Sequence, residues 1–429
     1  MTQESQGKRV VISTLGSFGD LHPYIAIALE LKRRGHRPLF ATSEAYREKL
    51  AALGLEFHPV PPDMPSSDRT DEIARLIDPK HGMERAFREF VNPNLPAMYE
   101  ALSAATRGAD LLVTHMFSLA GPPLVEKTGI RWVSTMLAPM ALFSHHEPPV
   151  LPNAPWLHHV LKLHPAVSRA LMRGARRKLD RLIEPLYQLR AGLSLPRGGN
   201  PLIDGQHAPR MALGLFSSAI ARRQPDWPSQ TRLTGFPFFD GHGAGSDAPG
   251  LDPALEAFLN AGEPPVVFTL GSWAVWAADD FYSESVAAAR ALGVRALLLT
   301  GDERNRPARL PEGVAAFGYA PHGALFPRAR AVVHQGGIGT TAQGLRAGVP
   351  SLVVPFSGDQ FDNGARVARA GAGRTLARGK YTAASAEREL RALLADARYA
   401  SRAAELGRQI RAEDGAAAAA DALEEVLRD

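Results

Sequence analysis

The chain has 429 residues and a mass of 46.2 kDa, more than one hydrophobic core usually holds, which indicates about two domains of roughly 200 residues each. Its hydrophobic content of 45% with 22% charged residues is typical of a globular protein and excludes a disordered or fibrous chain. The 49 Lys and Arg residues exceed the 44 Asp and Glu residues by too few to favour a nucleic-acid partner. The absence of cysteine excludes disulfides, thiolate metal sites and cysteine nucleophiles.

The amino-terminal residues do not have the pattern of a targeting signal. Residues 1–8 are polar and run directly into an apolar stretch, without the separate basic and apolar regions of a signal peptide. The most apolar region, residues 132–143, contains polar residues and is shorter than the roughly 18 apolar residues of a spanning helix. We therefore predict a cytoplasmic protein, with any membrane contact peripheral and at the inner face of the cell membrane.

Short apolar strands alternate with longer helical patterns along the chain. In the first half, strands are predicted at residues 9–14, 37–41 and 111–114, and helices at 24–34, 44–53 and 120–127. In the second half, strands are predicted at 266–270, 296–300, 315–317, 331–334 and 351–355. This alternation is typical of βαβ units with a parallel sheet. The sequence therefore predicts an α/β protein built from two Rossmann-like domains.

The domain boundary is predicted from composition. Residues 241–253 are rich in Gly, Pro and Asp and poor in apolar residues, as linkers are. We therefore predict an N-terminal domain at 1–240, a linker at 241–253 and a C-terminal domain at 254–412. Residues 413–429 are rich in helix formers and are predicted to form a closing helix.

Between residues 160 and 195 the strand rhythm is replaced by a basic, amphipathic helical pattern. Its basic residues are Lys162, Arg169, Arg173, Arg176, Arg177, Lys178 and Arg181, set against apolar Val160, Leu163, Val167 and Leu171. Three interpretations stay open: a surface for an anionic bilayer, a cover over a lipophilic pocket, and an ordinary solvated face.

The first loop, at residues 16–23, offers a candidate catalytic acid or base. Asp20 follows the glycine-rich turn after the first strand and should face the cleft between the domains. The structural alternative is that Asp20 caps the helix that begins with Leu21, His22 and Pro23.

The segment 334–341, His-Gln-Gly-Gly-Ile-Gly-Thr-Thr, follows a predicted strand and opens a helix. Glycines let the backbone approach an anion, and the first helical turn offers unpaired N–H groups and a favourable dipole. The segment therefore predicts a diphosphate site. The alternative is a glycine-rich turn in which His334 is only packed at the strand end.

Polar groups after neighbouring strands should lie at the same edge of the sheet. Asp359 and Gln360 follow the next strand and suit a ring of sugar hydroxyls, although they equally suit a capped loop. Ser272, in a Gly-Ser turn after the first strand of this domain, is a weaker candidate for a phosphate oxygen.

These residues together resemble the family 1 glycosyltransferases of the GT-B fold, in which two Rossmann-like domains face each other across a cleft. The resemblance covers nearly the whole chain and is carried by segments 16–23, 268–272, 319–322 and 334–341, with Asp359, Gln360 and Asn363. Among the members it is most similar to the rhamnosyltransferase of rhamnolipid synthesis, through segments 226–228 and 234–241. Sterol and macrolide glycosyltransferases are the next closest resemblance.

The resemblance implies a nucleoside diphosphate sugar bound by the C-terminal domain. The implied donor-binding residues are Ser272, Tyr319, His322, His334, Gly336, Gly337, Gly339, Thr340, Thr341, Asp359, Gln360 and Asn363. Tyr319 stands where relatives place an aromatic ring over the base. Plant members have a Glu for the ribose about where this chain has Ala342 and Gln343, which leaves uridine and thymidine donors both open.

On the acceptor side, the resemblance implies that Asp20 replaces the histidine base of many relatives. Plant members orient that histidine with an aspartate near the position of His115, so we predict that His115 hydrogen-bonds Asp20 and tunes or relays its proton. The alternative is that His115 is a buried structural histidine. The predicted lining of the acceptor pocket is His22, Trp132, Met136, Met140 and Phe143, with the segment 156–171. The alternative for each apolar residue is ordinary core. No Asp-x-Asp motif lies near these loops, and helix dipole and His334 are expected to replace a metal.

The sequence thus predicts an inverting, metal-independent hexosyltransferase, with several alternatives. The donor is a TDP- or UDP-linked sugar such as TDP-rhamnose or UDP-glucose, and the acceptor a lipophilic small molecule such as a hydroxy fatty acid lipid. A sterol, macrolide or flavonoid glucosyltransferase is the main alternative. A nucleotide-sugar 2-epimerase and a nucleotide-sugar-binding protein without catalysis are weaker ones. A NAD-dependent dehydrogenase is weaker still, because no G-x-G-x-x-G follows the first strand.

Overall fold

The structure, a computed structural model, describes residues 7–63, 70–78, 80–241 and 250–428. Most of the predicted linker, residues 242–249, and the first six residues lie outside the described residues. The chain forms two parallel α/β sheets with helices on their faces. The prediction of two Rossmann-like domains is confirmed.

The N-terminal domain contains a seven-stranded sheet in the order β3-β2-β1-β4-β5-β6-β7, with all of its strands parallel. Its strands are β1 Arg9–Ser13, β2 Arg37–Thr42, β3 Glu56–Pro59, β4 Leu111–His115, β5 Trp132–Met136, β6 Ala212–Gly214 and β7 Thr231–Leu233. Its helices are α1 Phe18–Arg33, α2 Arg47–Ala52, α3 Thr70–Ile77, α4 Gly82–Arg85, α5 Leu95–Ala105, α6 Gly121–Thr128, α7 Leu157–Leu161, α8 Pro165–Leu182 and α9 Glu184–Gly192.

The C-terminal domain contains a six-stranded parallel sheet in the order β10-β9-β8-β11-β12-β13. Its strands are β8 Val266–Thr269, β9 Ala296–Leu299, β10 Val314–Phe317, β11 Ala331–His334, β12 Ser351–Val353 and β13 Gly373–Thr375. Its helices are α10 Pro253–Asn260, α11 Phe281–Leu292, α12 His322–Leu325, α13 Ile338–Ala347, α14 Gln360–Arg369, α15 Ala383–Ala395 and α16 Ala397–Arg411. The last helix, α17 Gly415–Arg428, returns to the N-terminal domain.

Buried apolar side chains hold the two domains together. Helix α17 packs against α1, and its buried face, including Leu423 and Val426, belongs to the core of the N-terminal domain. A second apolar cluster contains Met136 and Phe216 from the N-terminal domain together with Leu345 from the C-terminal domain. The closing helix is therefore part of the first domain's core, although its chain segment follows the second domain.

Two helices differ from the sequence prediction for identifiable reasons. Helix α1 begins six residues earlier than predicted, because Ser17 and Asp20 form a capping box at its start. The sequence also predicts one helical pattern over residues 385–410, but the structure has two helices there, because Asp396 caps a new helix by accepting a hydrogen bond from the Arg398 N–H. Across the ranges described above, no helix is both long enough and apolar enough to cross a bilayer.

Candidate active site

The site lies where both sheets reverse their order of strands. In the N-terminal sheet, β1 and β4 are neighbours, with Ser13 opposite Thr114. In the C-terminal sheet, β8 and β11 are neighbours, with Thr269 opposite His334. A crevice opens beyond the carboxyl ends of the strands at such a switch point, and ligands of open α/β sheets bind there. The predicted catalytic residues follow β1 and β4, and the predicted diphosphate site follows β8 and β11.

His334 is fully buried at the end of β11. Its Nδ1 accepts a hydrogen bond from the Gly336 N–H at 3.0 Å, so the ring proton of the neutral imidazole lies on Nε2. Burial, with a smaller contribution from His322, lowers its pKa to about 3, which keeps the ring neutral. Nε2 is buried and has no hydrogen-bond partner among the described residues. His334 therefore carries an unused donor next to the glycine-rich turn.

The glycines of this turn are required by its geometry. Gly336 has φ +90°, and a Cβ atom there would lie 2.7 Å from Val353 Cγ1 and 2.9 Å from the Gln360 carbonyl oxygen. Gly271, in the loop after β8, has φ +64°, and its Cβ position is 2.3 Å from Gln335 Nε2. The loops after β8 and β11 thus approach each other closely. The exposed Ser272 lies on the first of these loops.

Helix α13 begins at this turn, with Gly337 as its N-cap and Gly339, Thr340 and Thr341 in its first turn. Gly337 provides no side-chain cap, so the first N–H groups of the helix stay available to an anion. Thr341 Oγ1 is buried and, within the described ranges, has no hydrogen-bond partner. Thr340 Oγ1 accepts a long hydrogen bond of 3.4 Å from Gln335 Nε2.

Asp359, Gln360 and Asn363 form one network beside the turn. Asn363 is fully buried, and its Nδ2 donates to the Gly336 carbonyl at 2.9 Å and to Asp359 Oδ2 at 2.7 Å. Gln360 Oε1 accepts from the backbone N–H groups of Phe356 and Ser357, which leaves its Nε2 for a ligand. Burial raises the pKa of Asp359 to about 6. Asn363 was predicted to bind the donor; both of its N–H donor directions are used internally, while its Oδ1 is buried and has no hydrogen-bond partner among the described residues.

Tyr319 and His322 flank the turn that follows β10. Tyr319 is 70% exposed, which suits a platform for a base. His322 stacks on Phe326 with ring centroids 4.4 Å apart, and burial lowers its pKa to about 4. Both side chains lie on the C-terminal domain near the cleft.

Asp20 lies in the first turn of α1, where its Oδ2 accepts from the Ser17 N–H at 2.8 Å. Ser17, rather than Asp20, is the N-cap, so the structural alternative is replaced by a capping-box role. The Asp20 side chain is 31% exposed. Desolvation, together with the charge of Asp359 in the opposite domain, outweighs the hydrogen bonds from Ser17 and raises the pKa of Asp20 to about 7. Such a carboxyl group exchanges protons near neutral pH, as a general base must.

His115 ends β4 and is almost fully buried beneath Asp20. Its Nε2 lies 3.8 Å from Asp20 Oδ1, adjacent but beyond hydrogen-bond distance, so the predicted hydrogen bond is not formed in this structure. Burial lowers the pKa of His115 to about 4, and the ring is neutral. Its Nδ1 has no hydrogen-bond partner in the part of the chain that the structure describes.

The N-termini of two helices meet across the cleft. A Cβ atom on Gly339, in the first turn of α13, would lie 3.9 Å from the Cα atom of Gly19, in the first turn of α1. Both helix ends carry partial positive charge. An anion bound beside this contact would therefore be stabilised from both domains.

The five predicted acceptor-lining residues divide into two groups. His22, Met140 and Phe143 are partly exposed, and His22 stacks on Phe18 with centroids 5.4 Å apart. Burial and the charges of Lys49 and His322 lower the pKa of His22 to about 3.

Trp132 and Met136 pack into apolar clusters. Trp132 is the first residue of β5, at the opposite end of the strand from the cleft, and packs on the core face that carries Leu186. Its Nε1 donates to Thr114 Oγ1 at 2.8 Å. Met136 is buried inside the apolar cluster between the domains. Both were predicted from apolar character alone, which does not separate core from pocket.

The sequence prediction missed Asp240 as a site residue. Asp240 Oδ1 accepts from Gln343 Nε2 at 3.1 Å, and Oδ2 accepts from Arg346 Nη1 at 2.8 Å. A Cβ atom on Gly323 would lie 2.6 Å from Asp240 Oδ1. Burial and the charge of Asp240 raise the pKa of Tyr319. Asp240 thus lies among residues of the implied nucleoside site, and only its place just before the linker could have signalled this.

No group of three His, Asp or Glu side chains is arranged to hold a metal ion in the residues for which coordinates are described.

Two family models match the chain. Residues 10–107 match the glycosyltransferase family 28 N-terminal domain. Residues 294–426 match the C-terminal domain of proteins like erythromycin biosynthesis protein CIII. The first match contains Asp20, and the second contains the whole glycine-rich turn.

The chain is also similar to individual proteins over nearly its whole length. It is 31% identical to the O-mycaminosyltylonolide 6-deoxyallosyltransferase of Streptomyces fradiae, covering 97% of each chain. It is 28% identical to the sterol 3-beta-glucosyltransferase of Yarrowia lipolytica over 96% of this chain but only 28% of that longer protein. A solved structure of the glycosyltransferase SsfS6 of Streptomyces sp. SF2575 with thymidine diphosphate has the same fold, with a TM-score of 0.63 and 19% identity over 97% of this chain and 99% of that one.

Proposed function

Because the chain belongs to the family 1 glycosyltransferases of the GT-B fold, we propose that it transfers a sugar, with inversion, from a TDP- or UDP-linked donor to a hydroxyl of a lipophilic acceptor. The observation that carries this proposal is the placement of Asp20 and the glycine-rich turn at facing switch points. The donor diphosphate lies against the turn and the sugar reaches towards Asp20. The acceptor enters from the N-terminal domain.

Asp20 takes the proton of the acceptor hydroxyl as its oxygen attacks the anomeric carbon of the sugar. Its pKa of about 7 makes it a stronger base than an ordinary aspartate while leaving it ionised in slightly alkaline solution. His115, 3.8 Å away, positions or relays this proton. The departing diphosphate accepts a hydrogen bond from His334 Nε2 and is stabilised by the N-terminus of α13, which together replace a metal ion.

The sugar hydroxyls are bound by Asp359 and Gln360. Asn363 fixes the Asp359 carboxylate, and the Gln360 side chain is oriented by two backbone N–H groups. This pair is therefore pre-organised before the donor binds.

Asp240 and Gln343 read the ribose of the donor. Gln343 gives its amide N–H to Asp240, and its Oε1 is buried without a hydrogen-bond partner among the described residues. One free acceptor suits the single ribose hydroxyl of a TDP-sugar, and the thymidine diphosphate complex of SsfS6 supports the same choice. A TDP-linked sugar is accordingly our proposed donor. Its sugar, rhamnose, and the acceptor, a hydroxy fatty acid lipid, are proposed from the sequence resemblance to the rhamnosyltransferase of rhamnolipid synthesis.

Glucosyl transfer to a sterol is the second candidate, favoured by the similarity to sterol 3-beta-glucosyltransferases. The two candidates differ in the donor nucleoside and are separated by one experiment. Purified protein is heated with TDP, UDP or NAD, because a ligand of the folded state raises the melting temperature. TDP-rhamnose with a hydroxy fatty acid lipid and UDP-glucose with a sterol are then tested for product.

We expect stabilisation by TDP above UDP, none by NAD, and product from TDP-rhamnose. Replacing Gln343 by Ala should reduce the preference for TDP, whereas Ser283→Ala, at an exposed position on α11, should not. Stabilisation by UDP with sterol glucoside as product would establish the second candidate. Stabilisation by neither nucleotide would contradict both.

A further inference from the structure

Helix α8 buries unusually few of its residues. It spans 18 residues from Pro165 to Leu182, and of these only Ser168 and Leu182 are buried. A helix on the surface of a globular protein normally buries a continuous stripe of apolar residues. Most of the surface of α8 is therefore open to a partner outside the chain.

The excess positive charge of the protein lies on this helix. Six basic residues and one acidic residue fall within α8, an excess of five, which equals the excess of 49 Lys and Arg over 44 Asp and Glu in the whole chain. The rest of the sequence therefore has no net charge. Arg176 is paired with Asp204. The other five, Arg169, Arg173, Arg177, Lys178 and Arg181, form no salt bridge with any carboxylate in the described ranges and are exposed.

Apolar side chains project from the same region. Trp156 is 67% exposed, Leu163 75% and Leu171 41%. They are three of only six large hydrophobic side chains that are exposed in the described part of the chain, and all three fall within 16 residues of sequence. Water-exposed Trp and Leu beside Arg and Lys are the composition of a helix that lies in a membrane interface.

The basic region is joined to the acceptor side of the cleft. His145 Nδ1 is hydrogen-bonded to Ser168 Oγ of α8 at 2.8 Å, and the His145 ring contacts Phe143 edge-on at 5.1 Å. Phe143 follows the carboxyl end of β5 and is a candidate for the acceptor lining. A bilayer against α8 would therefore lie close to the entrance for a lipophilic acceptor.

We propose that residues 156–182 form a docking surface for an anionic lipid bilayer. Basic residues attract the anionic headgroups, while Trp156, Leu163 and Leu171 enter the membrane interface. Neither a nucleic acid nor water would offer these three side chains an apolar environment. The bilayer then presents a membrane-dissolved acceptor to the cleft. This last consequence rests on the proposed function, whereas binding to the bilayer does not.

The test is flotation of the full chain with vesicles of phosphatidylcholine alone and of phosphatidylcholine with phosphatidylglycerol. We expect binding to the anionic vesicles only, and its loss at high salt, because the Debye length falls from about 10 Å at 0.1 M to about 3 Å at 1 M. The triple variant Arg169→Gln, Arg173→Gln, Arg177→Gln should partition about a hundredfold less. The charge-matched control Arg388→Gln, Arg398→Gln, Arg408→Gln, on exposed positions of α15 and α16, should bind like the unaltered protein.

Equal loss of binding in both triple variants would overturn the proposal, as would absence of binding to anionic vesicles at low salt. Association of the protein with itself through Leu163 and Leu171, or with nucleic acid through the basic residues of α8, with no vesicle binding, would assign the surface to another partner and also overturn the proposal. Turnover of a water-soluble acceptor is measured in parallel. Because none of the three replaced residues of α8 lies in the cleft, that turnover should be unchanged, and its absence in the unaltered protein would contradict the proposed function alone.

Discussion

Replacing Asp20 by Asn should abolish most of the activity and yet stabilise the fold. Asn keeps the size of the side chain and can still accept the hydrogen bond from the Ser17 N–H, but it cannot take a proton. Loss of a general base typically costs a factor of about 10² to 10⁴ in rate. The expected kcat of the variant is therefore at least about a hundredfold lower.

The stabilisation follows from the raised pKa of Asp20. Its pKa is about 7 in the folded protein, against 3.8 for an ordinary aspartate, so the folded state holds the proton more tightly than the unfolded state does. The stability contributed by this proton is fully present below pH 3.8 and is lost as the pH rises through 7. The difference between the two pKa values corresponds to about 4 kcal/mol. Because the side chain is 31% exposed, solvent screening should reduce this to roughly 2 kcal/mol.

Three measurements check this prediction. The pH profile of kcat/KM should rise about tenfold between pH 6 and pH 8, since the ionised fraction of a group of pKa about 7 rises from about a tenth to about nine tenths. Denaturant unfolding should show the unaltered protein losing stability between pH 4 and pH 7 relative to Asp20→Asn. The variant should still bind TDP, because Asp20 lies on the acceptor side of the cleft.

Asp110→Asn is the matched control. Asp110 precedes β4 at the amino end of the same sheet, where it accepts from the Arg9 N–H at 2.8 Å. Its hydrogen bonds from Arg9 and Lys8 outweigh desolvation and lower its pKa, so its replacement should reduce stability at neutral pH and leave turnover unchanged. A flat pH profile, or an Asp20→Asn variant that is less stable at pH 8 and retains more than about a tenth of the activity, would refute the assignment of Asp20 as the base.

Three further predictions concern the rest of the site. His115→Ala should lower turnover and shift the pH profile of kcat/KM, because the ring lies 3.8 Å from Asp20; near-normal turnover at every pH would exclude a role in the proton transfer. Gly336→Ala should lose about 2 kcal/mol of stability as well as TDP affinity, because its Cβ would lie 2.7 Å from Val353 Cγ1 at φ +90°. Gly339→Ala should lose TDP affinity alone. Denaturant unfolding measures the stability and calorimetry the affinity. Activity should be complete in excess chelator, and a strict requirement for Mg²⁺ or Mn²⁺ would contradict the assignment of His334 and the α13 N-terminus to the diphosphate.

Contiguous segments made most of the fold and the position of the glycine-rich turn predictable. Parallel strands follow from apolar runs such as β8 and β11, and the carboxyl end of each strand lies at a known edge of the sheet. The glycine-rich turn could be identified because a strand, three glycines and a helix start fall within eight residues. His334 needed no further information, since it is the last residue of its strand.

Contacts between distant segments were not predictable in the same way. Asp240 is 103 residues from Gln343 and 106 from Arg346, and no local pattern links them. Asn363 resembles a ligand-binding residue in sequence, but its burial depends on packing against the Gly336 carbonyl, 27 residues away. Trp132 is apolar and close in sequence to residues of the cleft, yet it lies at the start of β5 and its side chain packs against the core. Side-chain chemistry predicted which residues could act, and only the packing of separate elements decided which of them reach the cleft.

In the cleft, the charge of the Asp359 carboxylate helps to raise the pKa of the Asp20 carboxyl group. Asp359 is held by Asn363 at 2.7 Å on the donor side, and Asp20 lies on the acceptor side. The diphosphate of the proposed donor would add further negative charge, which the N-terminus of α13 and His334 would stabilise locally. The raised pKa of Asp20 thus follows from burial and from a fixed carboxylate. In the proposed mechanism the leaving group is stabilised from the opposite domain, so that the two tasks are divided between residues of different sheets.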